Sequence, residues 1–207
     1  MKNIHLYYFL IILLSTSCVN KPQGPLPIIG HRDISPTGDT LYHQIPDFQF
    51  INQDNQSINN ATFSNKAYVV DFFFMNCPTI CPKVKKQMLR LYKRFKKEDK
   101  LILLSHSIDP KYDTVERLKQ YATNLEVKTS KWHFVTGQKE DIYEIADDYF
   151  SVAKENPDAP GGFDHSGRLI LIDKNRHVRA FCDGTDAAAV SEFMLQVEQL
   201  LGEMEVE

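Results

Sequence analysis

The chain has 207 residues and a formal net charge of −3, from 24 lysines and arginines against 27 aspartates and glutamates. That balance offers no argument for nucleic-acid binding, which calls for a cationic excess. The length fits one ordinary domain with an extension, and the four cysteines are few enough to be weighed one by one.

Met1, Lys2 and Asn3 precede an apolar run over residues 4–14, followed by Ser15, Thr16, Ser17 and Cys18. The run is too short to span a bilayer and has the make-up of a secretory signal. Residues 1–17 are therefore expected as a signal peptide of the lipoprotein type, with Cys18 as the lipidated anchor. A plain cleaved signal is the alternative, since Ser15 stands where an aliphatic residue is usual. Either way the mature chain is expected outside the cytoplasm, membrane-anchored in the cell envelope, where disulfides persist. Residues 18–42 hold Pro22, Gly24, Pro25, Pro27, Gly30, Pro36 and Gly38, and are expected as a tether without a core of its own. Residues 43–207 then form the domain.

Within it, residues 48–51 and Ile58 flank a polar turn and predict a short hairpin. Residues 68–74 are a continuous apolar run rich in β-branched and aromatic types, the pattern of a strand buried on both faces. Helical spacing of Val84, Met88, Leu91, Tyr92 and Phe95 predicts a helix over residues 83–98, with a basic outer face read as solvated. A second buried strand is expected over 101–105 and a helix carrying Val115, Leu118, Tyr121 and Ala122, capped by Asp113 or Thr114. A strand over 132–135, a helix marked by Ile142, Ile145, Ala146 and Tyr149, and a hairpin of 169–172 with 178–182 come next. A closing helix over 187–201, capped by Thr185 or Asp186, ends the chain. This alternation predicts an α/β protein with a central mixed sheet flanked by helices, parallel strands with an antiparallel edge, and an N-terminal hairpin.

Cys77 and Cys81 fall where the first buried strand hands over to a helix, which makes a thioredoxin-like fold the expected member of the class. Helix N-termini favour negative charge, so these thiols should ionise more readily than a free cysteine. If the first helical turn included Cys77, the two Cα atoms would lie about 6 Å apart, close enough for a disulfide or for two sulfurs on one metal ion. The spacing is C-x3-C rather than the C-x2-C of thioredoxin-type motifs. Soft thiolates select copper(I), zinc or iron–sulfur iron, and an imidazole admits copper(II) as well. His165, on a glycine-flanked loop before a strand, is the candidate imidazole, although spacing alone also fits a surface histidine. Cys182 shares a strand face with Val178 and Ala180 and reads as a buried inert thiol rather than a redox partner. His106 is weighed between a core histidine and a group beside the metal, and Met75 between a packing residue and a thioether donor. His31 and His43 receive no role.

The string VDFFFMNCPTICP over residues 70–82 resembles the signature of the Sco/SenC family, membrane-anchored proteins needed to assemble the copper A centre of cytochrome c oxidase. SIDPKYD at 107–113, WHFVTG at 132–137, DHS at 164–166 and DGTD at 183–186 match in the family's order. The resemblance implies a thioredoxin-like fold, with copper(I) and copper(II) bound by Cys77, Cys81 and His165. It also implies that Asp109 influences that site from nearby, while Cys182 departs from the aromatic residue usual before the DGT segment. The expected function is an extracytoplasmic copper-binding assembly factor that delivers copper to, or prepares, the copper A site. The expected partners are the oxidase subunit, another copper chaperone or thiol reductant, and the membrane through the N-terminal lipid. A thiol–disulfide oxidoreductase using a redox-active Cys77–Cys81 disulfide is the alternative, and a purely structural disulfide is a third.

Overall fold

The computed structural model describes residues 24–206. Its elements in chain order are β1 (Arg32–Ile34), β2 (Thr40–Tyr42), β3 (Gln49–Asn52), β4 (Ser57–Asn59), β5 (Ala67–Phe73), α1 (Cys81–Phe95), β6 (Leu101–Ser107) and α2 (Val115–Asn124). They continue with β7 (Trp132–Thr136), α3 (Lys139–Asp148), β8 (Ala153–Glu155), β9 (Phe163–His165), β10 (Arg168–Ile172), β11 (Val178–Asp183) and α4 (Ala187–Val206). One sheet runs in the order β11-β10-β5-β6-β7-β3-β4. Strands β5, β6 and β7 are parallel. The pairings of β10 with β5 and β11, and of β3 with β7 and β4, are antiparallel.

Every residue of β5, β6 and β7 is buried. Strands whose apolar residues do not alternate with polar ones need cover on both faces, and the helices supply it. On one face Val84, Met88 and Leu91 of α1, Leu118 of α2 and Phe193 and Val197 of α4 pack over Val69, Phe73, Leu103 and Leu171. On the other, Ile142, Ile145 and Tyr149 pack with Phe63 over Tyr68, Val70, Phe72 and Leu104. The period-two alternation of β5 thus feeds two cores from one strand. It is a mixed α/β fold with a central sheet flanked by helices, as the pattern predicted.

Two pieces differ from the sequence expectation. The proline- and glycine-rich segment is laid along the domain from Leu26 onward. Leu26 is buried, its N–H donates to Glu203, and Ile29 forms a bridge with Val178 on the outer edge of β11. Arg179 donates to the Leu26 and Pro27 carbonyls while pairing with Asp173 and Glu203, so one guanidinium fastens this segment to β11 and α4. Beyond it β1 and β2 make an exposed hairpin, and His43 is buried with its Nε2 2.8 Å from the Asp148 carbonyl oxygen. The second addition is the β8–β9 hairpin, which lies outside the main sheet.

The caps divide as well. Asp186 accepts from the N–H groups of Ala188 and Ala189 and opens α4. Thr114 precedes α2 without a side-chain cap, and Asp113 turns inward to other partners. Replacing Asp186 by Ala should lower the unfolding free energy by about 1 kcal/mol in urea titration, while Asp186→Ser stays near the parent. Equal losses in both variants would mean that packing, not the cap, anchors α4.

Candidate metal centre

The centre begins where β5 runs out. The Met75 N–H donates to Asp113 Oδ2 at 3.1 Å, and the Ser107 hydroxyl donates to the same oxygen at 2.7 Å. That buried carboxylate therefore pins the chain leaving β5 to the chain leaving β6. Helix α1 opens only at Cys81, with proline in its first turn, where a missing N–H leaves no bond unmade. Cys77 thus precedes the helix and does not sit in its first turn, which corrects that sequence-based geometry. Its sulfur still meets the helix end, because the Cys81 N–H points at Cys77 Sγ across 3.5 Å. A thiol occupies the place of a cap that no side-chain oxygen fills.

His165 arrives from the separate hairpin. It lies opposite Ala153 in the β8–β9 pair, and its neighbours are tied down on either side. Asp164 accepts from the Asn156 amide at 2.9 Å, and the Ser166 and Ser151 hydroxyls meet at 2.7 Å. The hairpin folds close over Phe74: Gly161 has φ +82°, and a Cβ there would sit 2.8 Å from the Phe74 ring. The imidazole packs edge-on against that same ring at 5.1 Å. Its Nε2 is 3.2 Å from Cys81 Sγ and 3.6 Å from Cys77 Sγ. The three ligand atoms lie within 4.8 Å of one another, the one such group among the described residues.

The two thiols are unequal. Burial pushes Cys77 up, but hydrogen bonds from the Cys81 and Thr79 backbone and from the Thr79 hydroxyl outweigh it, and the thiol is held below its usual range. Burial drives Cys81 well above that range, helped by the charges of Cys77 and of Asp71 beneath it. Asp71 is itself buried on β5, with its carboxyl pushed up to about 7 by desolvation against a single hydrogen bond from Ser105. A cavity of about 10 Å³, lined by Asp71, Cys81, Ser105, Tyr121 and Trp132, separates this carboxyl from the cysteine. Burial lowers the His165 pKa, opposed by a backbone hydrogen bond with Phe163 and by Asp164, so the ring stays a neutral donor near neutral pH.

Other candidates go elsewhere. His106 is fully buried between Phe50 and Phe72 with neither ring nitrogen bonded, and desolvation lowers its pKa to about 3. It is a core residue. Met75 is half-buried and packs against the core under α1. Cys182 is a half-buried free thiol opposite Leu169, raised to about 12, first by burial and then by Asp183. Asp109 is buried in the loop after β6, and among the described residues no hydrogen bond or ion pair joins it to Cys77, Cys81 or His165. Its carbonyl accepts from the Asp113 N–H at 2.9 Å, one step from the carboxylate that pins the turn. Sequence reading missed both Asp113 and Asp71; a lone acid inside an apolar run, as Asp71 is, was the available signal. Cys18 lies outside the described residues.

A mixed sheet with two cysteines at its first buried strand-to-helix turn and a histidine closing over them defines a thioredoxin-like protein with a dithiol–imidazole cluster. The SCO1/SenC family model matches residues 37–201, and the chain belongs to that family. Among solved structures, a SCO1/SenC family lipoprotein from Bacillus anthracis is 30% identical, with TM-score 0.69 over 76% of this chain and 95% of that one. BsSco, a member of the Sco family of cytochrome c oxidase assembly proteins in which a disulfide switch was identified, is 27% identical, with TM-score 0.67 over 76% and 93%. ScoI of Arabidopsis thaliana, solved with copper bound, is 21% identical, with TM-score 0.62 over 74% and 98%, a likeness of fold alone.

The unequal thiols carry a pH signature. Cys77 should be alkylated first, with a half-maximal rate at a pH below that of an ordinary cysteine, and Cys81 should lag. Removing one donor in Thr79→Val should move the Cys77 midpoint upward, read by mass spectrometry of iodoacetamide-treated protein across a pH series. An unchanged midpoint would assign the depression to other donors.

Proposed function

We propose that this protein is a copper-binding assembly factor acting on cytochrome c oxidase outside the cytoplasm, delivering copper to the copper A site or preparing that site for it. The observation that carries the reading is the convergence of Cys77 Sγ, Cys81 Sγ and His165 Nε2 within 4.8 Å. The donor set fits the ion: two thiolates satisfy copper(I), and the imidazole meets the wider coordination that copper(II) prefers. Membership of the SCO1/SenC family and the oxidase-assembly role of BsSco supply the partner. Cys77, Cys81 and His165 are the metal ligands in this reading, and Asp109 supports them through Asp113 and the Met75 turn. Copper is the cargo; the chain presents the donors, packs Phe74 against the imidazole, and holds His165 neutral. A Cys77–Cys81 disulfide would remove the thiolate charge that makes the sulfurs ligands, so oxidised protein takes up no stoichiometric copper until reduced.

A second reading is favoured by the depressed Cys77 thiol. A thiolate held at a helix end is the attacking group of thiol–disulfide exchange, which would make the protein a reductase of the oxidase cysteines. One variant separates the two. His165→Ala should weaken copper(II) binding by at least the 10–100-fold typical of lost supporting groups, and copper(I) binding far less. A reductase would keep its activity toward an insulin-type disulfide in that variant. Wild-type copper(II) affinity in His165→Ala would remove His165 from the site.

Anchoring through Cys18 completes the proposal, with residues 1–17 as the signal and residues 18–42 linking Cys18 to the domain of residues 43–207, the part from Leu26 onward lying against that domain. Cys18→Ala should shift the protein from the membrane fraction to the soluble fraction with unchanged circular dichroism. A variant still bound to membranes would point to an uncleaved signal.

A further inference from the structure

Helix α1 carries an unusual charge pattern. Its sequence from Cys81 to Phe95 holds no acidic residue, and its first turn has none to match the positive helix end. Instead Lys83, Lys85 and Lys86 stand in the first two turns, against the helix dipole. Lys83, Lys86, Arg90, Lys93 and Lys97 follow a spacing of three, four, three and four residues, so they form one stripe along the helix and past its end. Like charges at that spacing repel, and among the described residues no ion pair neutralises most of them. Arg90 is tied to Gln87, Ala187 and Ser191, and Arg94 on the adjacent row pairs with Glu198. Lys83, Lys86, Lys93 and Lys97 are exposed and make no ion pair among the described residues, although Lys83 is within the field of Asp183. Local rules broken without a gain in stability mark functional surfaces.

The stripe starts at the metal centre, since Lys83 is two residues from Cys81. Exposed apolar side chains complete the rim: Tyr112 is 51% exposed on the loop that carries Asp113, and Val152 is 45% exposed beside the His165 strand pair. Across the sheet the charge is reversed, with Glu140, Asp141, Glu144 and Asp147 exposed on α3. On the stripe's own side of the sheet α4 carries Glu192, Glu198, Glu203 and Glu205, so the positive field is confined to α1. An acidic partner would be drawn to that helix, which begins at the metal centre.

We propose that the basic stripe of α1, with Tyr112 and Val152 at its head, is the docking face for an acidic protein surface that exchanges metal or thiols with the Cys77–Cys81–His165 centre. This deepens the copper-handling reading and rests on it. An anionic membrane would suit the same lysines, but lipid against the stripe would lie across the mouth of the centre and shut out the partner that must reach it. Charge on the stripe then sets the rate of encounter, while the centre sets affinity for the cargo.

The test uses the full reduced chain and two synthetic peptides with the same Cys-x-x-Cys centre, one flanked by glutamates and one by lysines. At low salt the glutamate peptide should take copper(I) from the loaded protein at least about 10-fold faster than the lysine peptide, within the range of electrostatic steering, and the gap should close as salt rises. Lys83→Glu combined with Lys86→Glu should invert the preference without changing copper(I) affinity, while Lys66→Glu, just before β5 at the end of that strand away from the centre, should not. Amide shifts of the metal-free protein with each peptide decide the docking face even if copper is not bound, so failure of the copper reading is seen separately. Shifts centred on residues 83–97 support the proposal. Equal rates and shifts for the two peptides would overturn it, as would lysine-dependent capture by phosphatidylglycerol vesicles with no preference between peptides.

Discussion

Everything at the centre is set by the position of β5. It lies between β10 and β6, its seven residues are buried, and its alternating faces serve both hydrophobic cores. A strand so placed cannot shift register by one residue without turning Asp71 and two apolar sets onto the wrong faces. Its end is therefore a fixed point in space, and the two thiols follow it by four and eight residues. Asp113 removes the remaining freedom by holding Met75, and Phe74 provides the wall on which the β8–β9 hairpin settles. The metal donors are positioned by the core first and by polar contacts second.

The placement of Cys77 before the helix has a chemical effect that a helical position would not. In the first turn its sulfur would project along the helix surface; ahead of the turn, it lies over the open N–H end and takes a donor from Cys81. One cysteine gains hydrogen bonds, while the other, across a small cavity from Asp71, is raised by desolvation and like charge. The pair is graded as a result, with one thiol held toward the thiolate and one held as the thiol. Such a gradient suits stepwise chemistry, whether the step is exchange of a ligand or exchange of a disulfide.

Much of this was legible in the residues. Continuous apolar runs fixed the central strands, helical spacing fixed the four helices, and the turn bearing Cys77 and Cys81 was placed correctly at the end of β5. His165 could not be joined to that turn by spacing, because 84 residues separate it from Cys81 and a short hairpin outside the main sheet delivers it. The family resemblance carried that link. The N-terminal segment read as a tether because prolines and glycines dominate it, yet Arg179 and Glu203, far along the chain, hold it in place. Asp109 was singled out where Asp113 makes the contact: the two lie in one loop, and only the fold decides which carboxylate faces the turn.

The way the main sheet is finished at its two sides bears on a different matter, that of self-association. Open strand flanks invite pairing with another copy, and proteins blunt them with short strands, charge or cover. Here one flank is β4, three residues long. The other is β11, where Ile29 bridges Val178 and the Arg168 guanidinium lies 4.9 Å over the exposed Phe181 ring. The first side is too short for a long ladder, and the second is covered at its first residue and blunted beyond it by the charged Arg179 and Asp183. Many copies could thus be crowded together without their sheets fusing into a continuous β-structure.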